Sequence, residues 1–310
     1  MTETTARVRH SRVEPVPFGP GWLLWDLAGD HRGNLVFLAP TLMQAMHPVI
    51  GDALARMPVA LTDPFGRRER SVDSIHLWVY GGPEALVEAR RLAELHKPVK
   101  GRDTDGRDVS ALNPEVWAWV PLSSYTAFLT QCRVFGEPLD EAGKERLYEE
   151  IKNLARILGV RERHIPATTA DYWAYYDTMV STRLTNHPFV HQVLARGLRL
   201  PPPPFLPRAL APAWKAVWPT LGRFATWLTY GTFPPEIREI LGLQWTERDE
   251  RRFLRVGQLI RHTARLTPER LRYPRTVRLA RDLARNPGPK REQALTKRIA
   301  TLHDRNTKSL

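Results

Sequence analysis

Apolar side chains recur at every third or fourth position along most of this 310-residue chain. The segment 41–57 carries one broad apolar stripe of this kind, and the segment 83–96 repeats it after the Gly81-Gly82 break. Such spacing is typical of an amphipathic helix that faces a core, whereas the alternation of a half-buried strand is hard to find here. The pattern therefore predicts an all-α protein.

Proline, glycine and asparagine divide the apolar pattern into separate helices. The polar segment 101–111 contains a glycine-bearing turn and predicts a loop or a short hairpin, and the four prolines of 201–204 predict a rigid connection. Nothing divides the pattern into two cores, so we expect one helical domain over 20–285, an N-terminal arm over 1–19 and a basic C-terminal extension over 286–310. The predicted helices cover residues 41–57, 83–96, 115–135, 140–158, 169–184, 188–197, 211–230, 235–241, 246–266 and 267–285.

The net charge of +13 is concentrated near the end of the chain. Between Glu269 and Leu310 stand twelve Lys or Arg residues and four acids, so this segment holds eight of the thirteen net positive charges. A basic segment after the last core helix is usually a solvated extension, and no zinc-finger spacing, aromatic RNA-binding strand or helix-turn-helix pattern accompanies it. We therefore expect no specific nucleic-acid partner, while binding of the extension to an anionic surface stays a further alternative.

Cys132 is the single cysteine of the chain, which excludes an internal disulfide and a cluster of thiolate metal ligands. It lies in an apolar stretch, where a buried and unreactive thiol is the expected state. One isolated cysteine fits a reducing compartment, and residues 1–20 lack the apolar stretch of a signal peptide. We therefore expect a cytoplasmic protein.

The segment 214–233 is the best candidate for a membrane contact. It contains Lys215, Pro219 and Arg223, so it cannot span a bilayer unaided, and we expect no transmembrane segment. An amphipathic helix that lies at a membrane surface stays open for this segment, and peripheral membrane contact stays open with it.

Ten histidines offer candidates for metal or cofactor binding. The His-Glu-x-x-His spacing of a zinc protease is absent, and the pair His187 and His191 has no carboxylate in its intervening turn. The chain also lacks a glycine-rich phosphate loop and a Gly-x-Ser-x-Gly nucleophile elbow. These motif classes therefore assign no function.

Two histidines stand on otherwise apolar helical faces. His96 closes the helix 83–96 on the stripe that includes Leu92, and His47 lies in the apolar segment 41–57. An inward histidine is either a hydrogen-bonded core residue or a ligand, because a neutral imidazole nitrogen in an apolar pocket is a good donor to haem iron. Spacing alone leaves both interpretations open for each residue.

Two arginines follow a helix start that lies between these histidines. Arg67 and Arg70 stand three residues apart and therefore share one face of the helix that begins near Asp63-Pro64. Two guanidinium groups on one face can clamp a carboxylate, such as a haem propionate, or polarise bound oxygen. The alternative is an ordinary solvated helix face.

Six segments of the chain stand in an order that one known family shares. They read APTLMQAMHP, DPFGRRERS, LHKPVKGRDTDGRDVSALNPEVWAWV, PLDEAGKERLYEEIKNLARILGV, YGTFPPEIREILGLQW and LTPERLRYPRTVRLA. Over roughly residues 20–285 the chain thereby resembles the MpaB/rubber-oxygenase family, which includes the latex clearing proteins and the fungal mycophenolate-pathway oxygenase. The resemblance implies an all-α, globin-like core around one haem b and a dioxygen-using oxidoreductase.

Two motifs of that family fall on the histidines described above. An axial-histidine motif, H-x-x-V-x-G, maps onto His96, Val99 and Gly101, which implies that His96 binds the iron. A His-Pro element maps onto His47 and Pro48, which implies that His47 lines the cofactor pocket.

A third motif, R-x-x-[KR]-[TS], maps onto Arg67, Arg70 and Ser71. The resemblance implies that the two arginines contact the cofactor and that all three residues line the oxygen side as catalytic groups. One departure concerns Pro121, because many relatives have a histidine after the Trp-Val pair that precedes this proline. The absence of this histidine could remove a hydrogen bond at the haem edge, change the substrate or weaken haem binding.

The leading hypothesis is a cytoplasmic haem b oxidoreductase that uses dioxygen to oxidise an apolar small molecule, with the iron on His96. The alternative, motivated by Pro121, is a haem-free helical protein that binds an apolar ligand or partner.

Overall fold

The structure, a computed structural model, describes residues 13–57 and 59–308, and these residues are mostly helical, so the all-α prediction is confirmed. The first part of the chain contains α1 (Leu23–Leu27), α2 (Gly33–Val36), α3 (Leu38–Ala45), α4 (Pro48–Ala55), α5 (Val59–Thr62), α6 (Pro64–Tyr80), α7 (Glu84–His96), β1 (Lys100–Arg102), β2 (Asp108–Ser110), α8 (Pro114–Leu122), α9 (Ser124–Thr130) and α10 (Glu141–Ile157). The remainder contains α11 (Thr169–Thr182), α12 (Pro188–Gly197), α13 (Ala211–Thr232), α14 (Pro235–Ile240), α15 (Glu247–Leu266), α16 (Glu269–Arg272), α17 (Arg275–Arg285) and α18 (Pro289–Lys308).

The single helix predicted over 41–57 is wrong, because the chain breaks at His47. Helix α3 ends at Ala45 and α4 begins at Pro48, with His47 in an extended conformation between them (φ −68°, ψ 123°). Proline disfavours helical dihedrals in the residue before it and is well suited to the first position of a new helix. His47 therefore stands at the junction of two helices.

The helix predicted over 115–135 is also divided. Helix α8 ends just after Pro121, α9 follows from Ser124, and the last turn, Gln131–Phe135, is a π-helix. Pro121 has no N–H to continue the helical ladder. The side-chain hydroxyls of Ser123 and Ser124 donate to the carbonyl oxygens of Val120 (3.0 Å) and Pro121 (2.5 Å), which stabilises the break.

A two-stranded hairpin is the sheet of the described chain, as predicted for the polar segment after α7. Strands β1 and β2 are antiparallel, with Gly101 opposite Val109, and Gly106 takes a positive φ of 78° in the turn. The strand β1 packs against α4, and its Arg102 N–H donates to the Asp52 carboxylate (2.8 Å). The hairpin therefore joins the end of α7 to the helix that follows His47.

Aromatic side chains fill the centre of the core. Tyr125, Tyr148 and Tyr172 are almost completely buried and meet one another with ring centroids 4.9 to 5.3 Å apart. Burial of each large side chain stabilises the fold by roughly 2 to 3 kcal/mol. Helix α10 supports this cluster with an apolar face that includes Leu147 and Ile151.

The basic C-terminal extension, expected to be solvated, is instead a docked helix. Ile299 and Leu302 of α18 are buried against Leu77 of α6. Asn306 lies one turn further on and donates from its amide nitrogen to the hydroxyl of Ser74 and to the carboxylate of Glu88, both at 3.2 Å. The sequence contains the reason, because 295, 299, 302 and 306 follow the spacing of one helical face.

Within the described ranges, no helix combines the length and the apolar character that crossing a membrane requires.

Candidate functional site

His96 is the last residue of α7, and its ring is half-buried. Its Nδ1–H donates to the carbonyl oxygen of Leu92 (2.8 Å), which leaves Nε2 as the nitrogen with a free lone pair. The ring lies edge-on to the indole of Trp117, with centroids 5.4 Å apart. The hydrogen bond to Leu92 and the contact with Trp117 together fix the orientation of the His96 ring.

The protonation state of His96 follows from its surroundings. Burial lowers the pKa of the imidazole, the hydrogen bond to Leu92 opposes that effect, and the positive charges of Arg91 and Arg67 lower the pKa further. His96 is therefore neutral near pH 7, which is the form that can donate a lone pair to a metal.

Packing against α4 requires glycine at position 101, in the motif that begins with His96. A Cβ atom added to Gly101 would collide with the carbonyl oxygen of Val49 in α4. Only glycine lets β1 approach the helix backbone this closely. Gly101 therefore allows β1, which follows His96, to pack against α4, which follows His47.

Arg67 is the fourth residue of α6 and is half-buried. Burial lowers the pKa of its guanidinium, and the nearby positive charge of Arg70 lowers it further. No acidic partner pairs with Arg67 among the described residues, yet its charge is close enough to act on His96. The structure thus brings an uncompensated cation towards the imidazole.

Arg70 is close to Arg67, as its charge effect indicates, but it is already paired. Its Nη1 lies 3.2 Å from Oδ2 of Asp63, the residue that caps α6 by accepting from the N–H of Gly66. Arg70 is therefore held by Asp63, and the clamp of Arg67 and Arg70 stays a prediction. Ser71 is half-buried four residues after Arg67 on the same helix.

His47 is buried, and its Nδ1 has no hydrogen-bond partner among the described residues. Burial lowers the pKa of its ring, Glu115 raises it, and Arg183 lowers it again. Buried polar atoms are nearly always hydrogen-bonded, so an orphaned ring nitrogen marks a place where a further polar group fits. No direct contact joins His47 to His96 in the described part of the chain.

Two further orphaned groups lie on α8 and α11. The Nε1 atom of Trp119 and the hydroxyl of Tyr175 are buried without a partner among the described residues, and the two rings lie 6.2 Å apart. Burial raises the pKa of Tyr175, and the charge of Glu115, which also acts on His47, raises it further. No sequence pattern predicted a role for Trp119 or Tyr175, because only tertiary packing leaves their polar atoms without partners.

Pro121 lies inside α8, one residue before the last residue of that helix. It is buried, and the carbonyl oxygen of the preceding Val120 accepts from Nε2 of Gln44 in α3 (3.0 Å). Helix α8 is held on its other side by Trp117, whose indole N–H donates to the carbonyl oxygen of Leu158 (2.9 Å). The chain therefore places a rigid apolar group where the resembled family has an imidazole.

Two cavities of the described structure lie away from these residues. One of about 860 Å³ is bordered by aromatic side chains such as Trp173, Tyr176 and Trp245, and the thiol of Cys132 reaches it. Burial raises the pKa of that thiol to about 11, so it is protonated and unreactive, as expected. A second cavity of about 520 Å³ lies at the end of α12. Neither is bordered by His96, His47 or Arg67.

The chemistry of the His96 and Arg67 side chains suits haem b, while neither of the two cavities described above borders them. A neutral imidazole whose Nδ1 donates to a backbone carbonyl is a usual form of protein ligand to iron, since the second hydrogen bond fixes the tautomer and orients the ring. A half-buried guanidinium without an acidic partner is complementary to a carboxylate. In the described ranges, no three His, Cys, Asp or Glu side chains form a group that could hold a metal ion.

Comparison with known proteins gives one family match and two relatives. The sequence model for the catalytic domain described as ER-bound oxygenase mpaB/B'/Rubber oxygenase matches residues 25–262. The chain is 24% identical over 240 residues to Uncharacterized protein Mb2261 of Mycobacterium bovis and, equally, to Uncharacterized protein Rv2237 of Mycobacterium tuberculosis; the alignment covers 75% of this chain and 89% of each relative. No solved structure matches the chain.

Proposed function

Because this chain belongs to the mpaB/B' and rubber-oxygenase catalytic-domain family, we propose that it is a haem b-dependent oxidoreductase that uses dioxygen on an apolar small molecule. One observation carries the proposal: the neutral His96 imidazole, with Nδ1 bound to Leu92 and Nε2 left to coordinate. The family's name includes rubber, an apolar compound, which supports an apolar substrate. The globin-like arrangement of the core and a cytoplasmic location stay part of the proposal.

Each residue of the proposed site has a separate role. His96 would hold the iron of a bound haem, and the Leu92 carbonyl oxygen keeps the ring in the tautomer that leaves Nε2 free to coordinate. When bound, haem b supplies an iron that binds and activates dioxygen. Arg67 contributes a positive charge for a propionate or for developing negative charge on the oxygen side, with Arg70 and Ser71 beside it on α6. His47 lines the pocket and offers a free ring nitrogen.

The test is the absorption spectrum of the purified protein after haem supplementation. We expect a Soret band in the wild type and its loss in His96→Ala. His262→Ala is the matched control, because the His262 Nδ1 lies 2.7 Å from the carbonyl oxygen of Gln258, the same local bond on an exposed helix. A Soret band that is absent from the wild type, or unchanged in His96→Ala, would refute the haem assignment.

A haem-free binding protein for an apolar ligand is the second candidate, and one observation favours it. The cavity of about 860 Å³ has aromatic walls that include Trp173 and Phe233, and it stands apart from His96. Elemental analysis separates the two candidates. Iron in a one-to-one ratio with the protein supports the oxidoreductase, whereas iron-free protein that binds an apolar dye in this cavity supports the binding role.

A further inference from the structure

An apolar stripe on α13 is open to solvent. Val217, Leu221 and Phe224 follow the i, i+4, i+7 spacing of one helical face, and each is about half exposed (52%, 48% and 48%). Leu210 stands seven residues before Val217 at 49% exposure, and Phe205 precedes it at 84%. Soluble monomers rarely leave contiguous apolar surface of this kind without a partner.

The flank of α13 directly beside the stripe is fixed to the end of α12, which limits how far the helix can rotate. The indole N–H groups of Trp214 and Trp218 donate to the carbonyl oxygens of Leu200 and Gly197, both at 3.0 Å. The two indoles stack with centroids 4.6 Å apart. Gly222 lets the backbones approach, because a Cβ there would lie 3.2 Å from the Gly197 carbonyl oxygen. The stripe therefore cannot turn inward by a simple rotation of the helix.

The charge of this part of the chain has one sign. No Asp or Glu occurs from residue 178 to residue 235. Five cations of this segment form no ion pair with any described residue: Arg196, Arg199, Arg208, Lys215 and Arg223. Arg196 and Arg199 border the cavity of about 520 Å³, whose other walls include Leu198 and Pro201. Unpaired guanidinium groups beside apolar walls suit a phosphate group that carries an apolar tail.

We propose that residues 196–224 form a docking surface for an anionic lipid bilayer, with α13 lying in the plane of the membrane surface. The apolar stripe enters the boundary between headgroups and acyl chains, as in other interfacial helices, and the cations meet lipid phosphates. A second copy of the chain is the poorer occupant, because a two-fold contact would bring five unpaired cations against five. The proposal does not depend on haem.

The experiment is flotation of the full-length protein with lipid vesicles, with and without bound haem. We expect the protein to float with vesicles that contain phosphatidylglycerol and to stay behind with phosphatidylcholine alone. High salt weakens the binding, because lipid phosphates attract the cations electrostatically. Failure to bind either kind of vesicle overturns the proposal, whatever the haem spectrum shows.

Two variant pairs with matched controls locate the surface. Val217→Glu with Leu221→Glu lowers the bound fraction at least tenfold, whereas Leu259→Glu with Leu266→Glu, at exposed positions of α15, leaves it unchanged. Arg196→Gln with Arg199→Gln weakens binding by roughly tenfold or more, since each basic residue near a membrane contributes about 1 kcal/mol. Lys290→Gln with Lys297→Gln, exposed on α18, serves as its control.

Two results overturn the proposal even if the protein floats. One is an equal loss of binding in the control pairs, which would place the contact outside residues 196–224. The other is a wild type that is dimeric by light scattering and becomes monomeric in Val217→Glu with Leu221→Glu while it still floats. That outcome would identify the stripe as a protein interface.

Discussion

Gly101 lies so close to the carbonyl oxygen of Val49 that even one methyl group has no room between them. This contact ties the hairpin after His96 to the helix after His47, so two predicted pocket residues depend on one glycine.

We expect Gly101→Ala to lower the free energy of unfolding by about 3 kcal/mol, because the backbone of β1 must move away from α4. Haem affinity should fall with it, since the displaced strand starts four residues after His96. Urea unfolding and haem titration measure the two effects. Gly288→Ala is the control, because a Cβ there meets no atom within 4 Å and φ is not positive. Equal stability of the two variants would contradict the packing argument.

Arg67→Met should separate stability from cofactor binding. Removal of a half-buried cation without an acidic partner among the described residues is expected to leave the haem-free protein as stable as the wild type or more stable by about 1 kcal/mol. Loss of the proposed charge-assisted bond to a haem propionate should weaken haem binding by roughly tenfold or more. Arg90→Met, at an exposed position of α7, should change neither quantity. A variant that is destabilised and binds haem normally would assign Arg67 a purely structural role.

His76 should make the fold sensitive to acid. Burial lowers the pKa of its ring to about 4, and the charge of Arg298 acts in the same direction. Above pH 6.5 the ring is neutral in both states; as the pH falls from 6.5 to 4, the unfolded chain takes up a proton that the folded protein resists. Stability therefore falls through this window by about 3 kcal/mol on account of this residue.

The variant His76→Leu cannot take up that proton, so the difference in unfolding free energy between variant and wild type should grow in the variant's favour between pH 6.5 and 4. Measuring the difference removes the contribution of Asp73, whose pKa burial raises to about 6 and which acts with the opposite sign. Parallel pH profiles of the two proteins would exclude His76 as the source.

Leu302→Ala tests the docking of α18. Leu302 is completely buried, so its truncation should cost about 2 to 5 kcal/mol in unfolding free energy. Leu271→Ala is the matched control, since Leu271 is 63% exposed and should change stability by less than about 0.5 kcal/mol. Thermal or urea unfolding measures the stability of both variants. If α18 were a solvated helix, the two substitutions would have the same small effect.

Much of the helical architecture could be predicted from apolar spacing, and the breaks within it follow from local chemistry. The predicted helices 41–57 and 115–135 are each broken near a proline, Pro48 and Pro121. A proline has no amide hydrogen and restricts the residue before it. The hairpin of β1 and β2 was expected from its polar, glycine-bearing sequence and is confirmed. The docked position of α18 was missed because its high charge obscured the apolar face of Ile299 and Leu302.

The candidate site was predictable only in part. The pattern of the chain indicates that His96 turns inward, and the neighbouring charges of Arg67 and Arg70 follow from their spacing. The pairing of Arg70 with Asp63 and the orphaned hydroxyl of Tyr175 depend on how helices distant in sequence pack together. No local pattern in the chain encodes that information.

The packing of α18 against α6 affects the order in which the protein can fold. Leu77, on the same helix as Arg67, stays uncovered until Ile299 and Leu302 have emerged from the ribosomal tunnel. The packing of α6 is consequently completed only after residues 299–302 have been synthesised, so this helix depends on a segment more than 200 residues away in the chain.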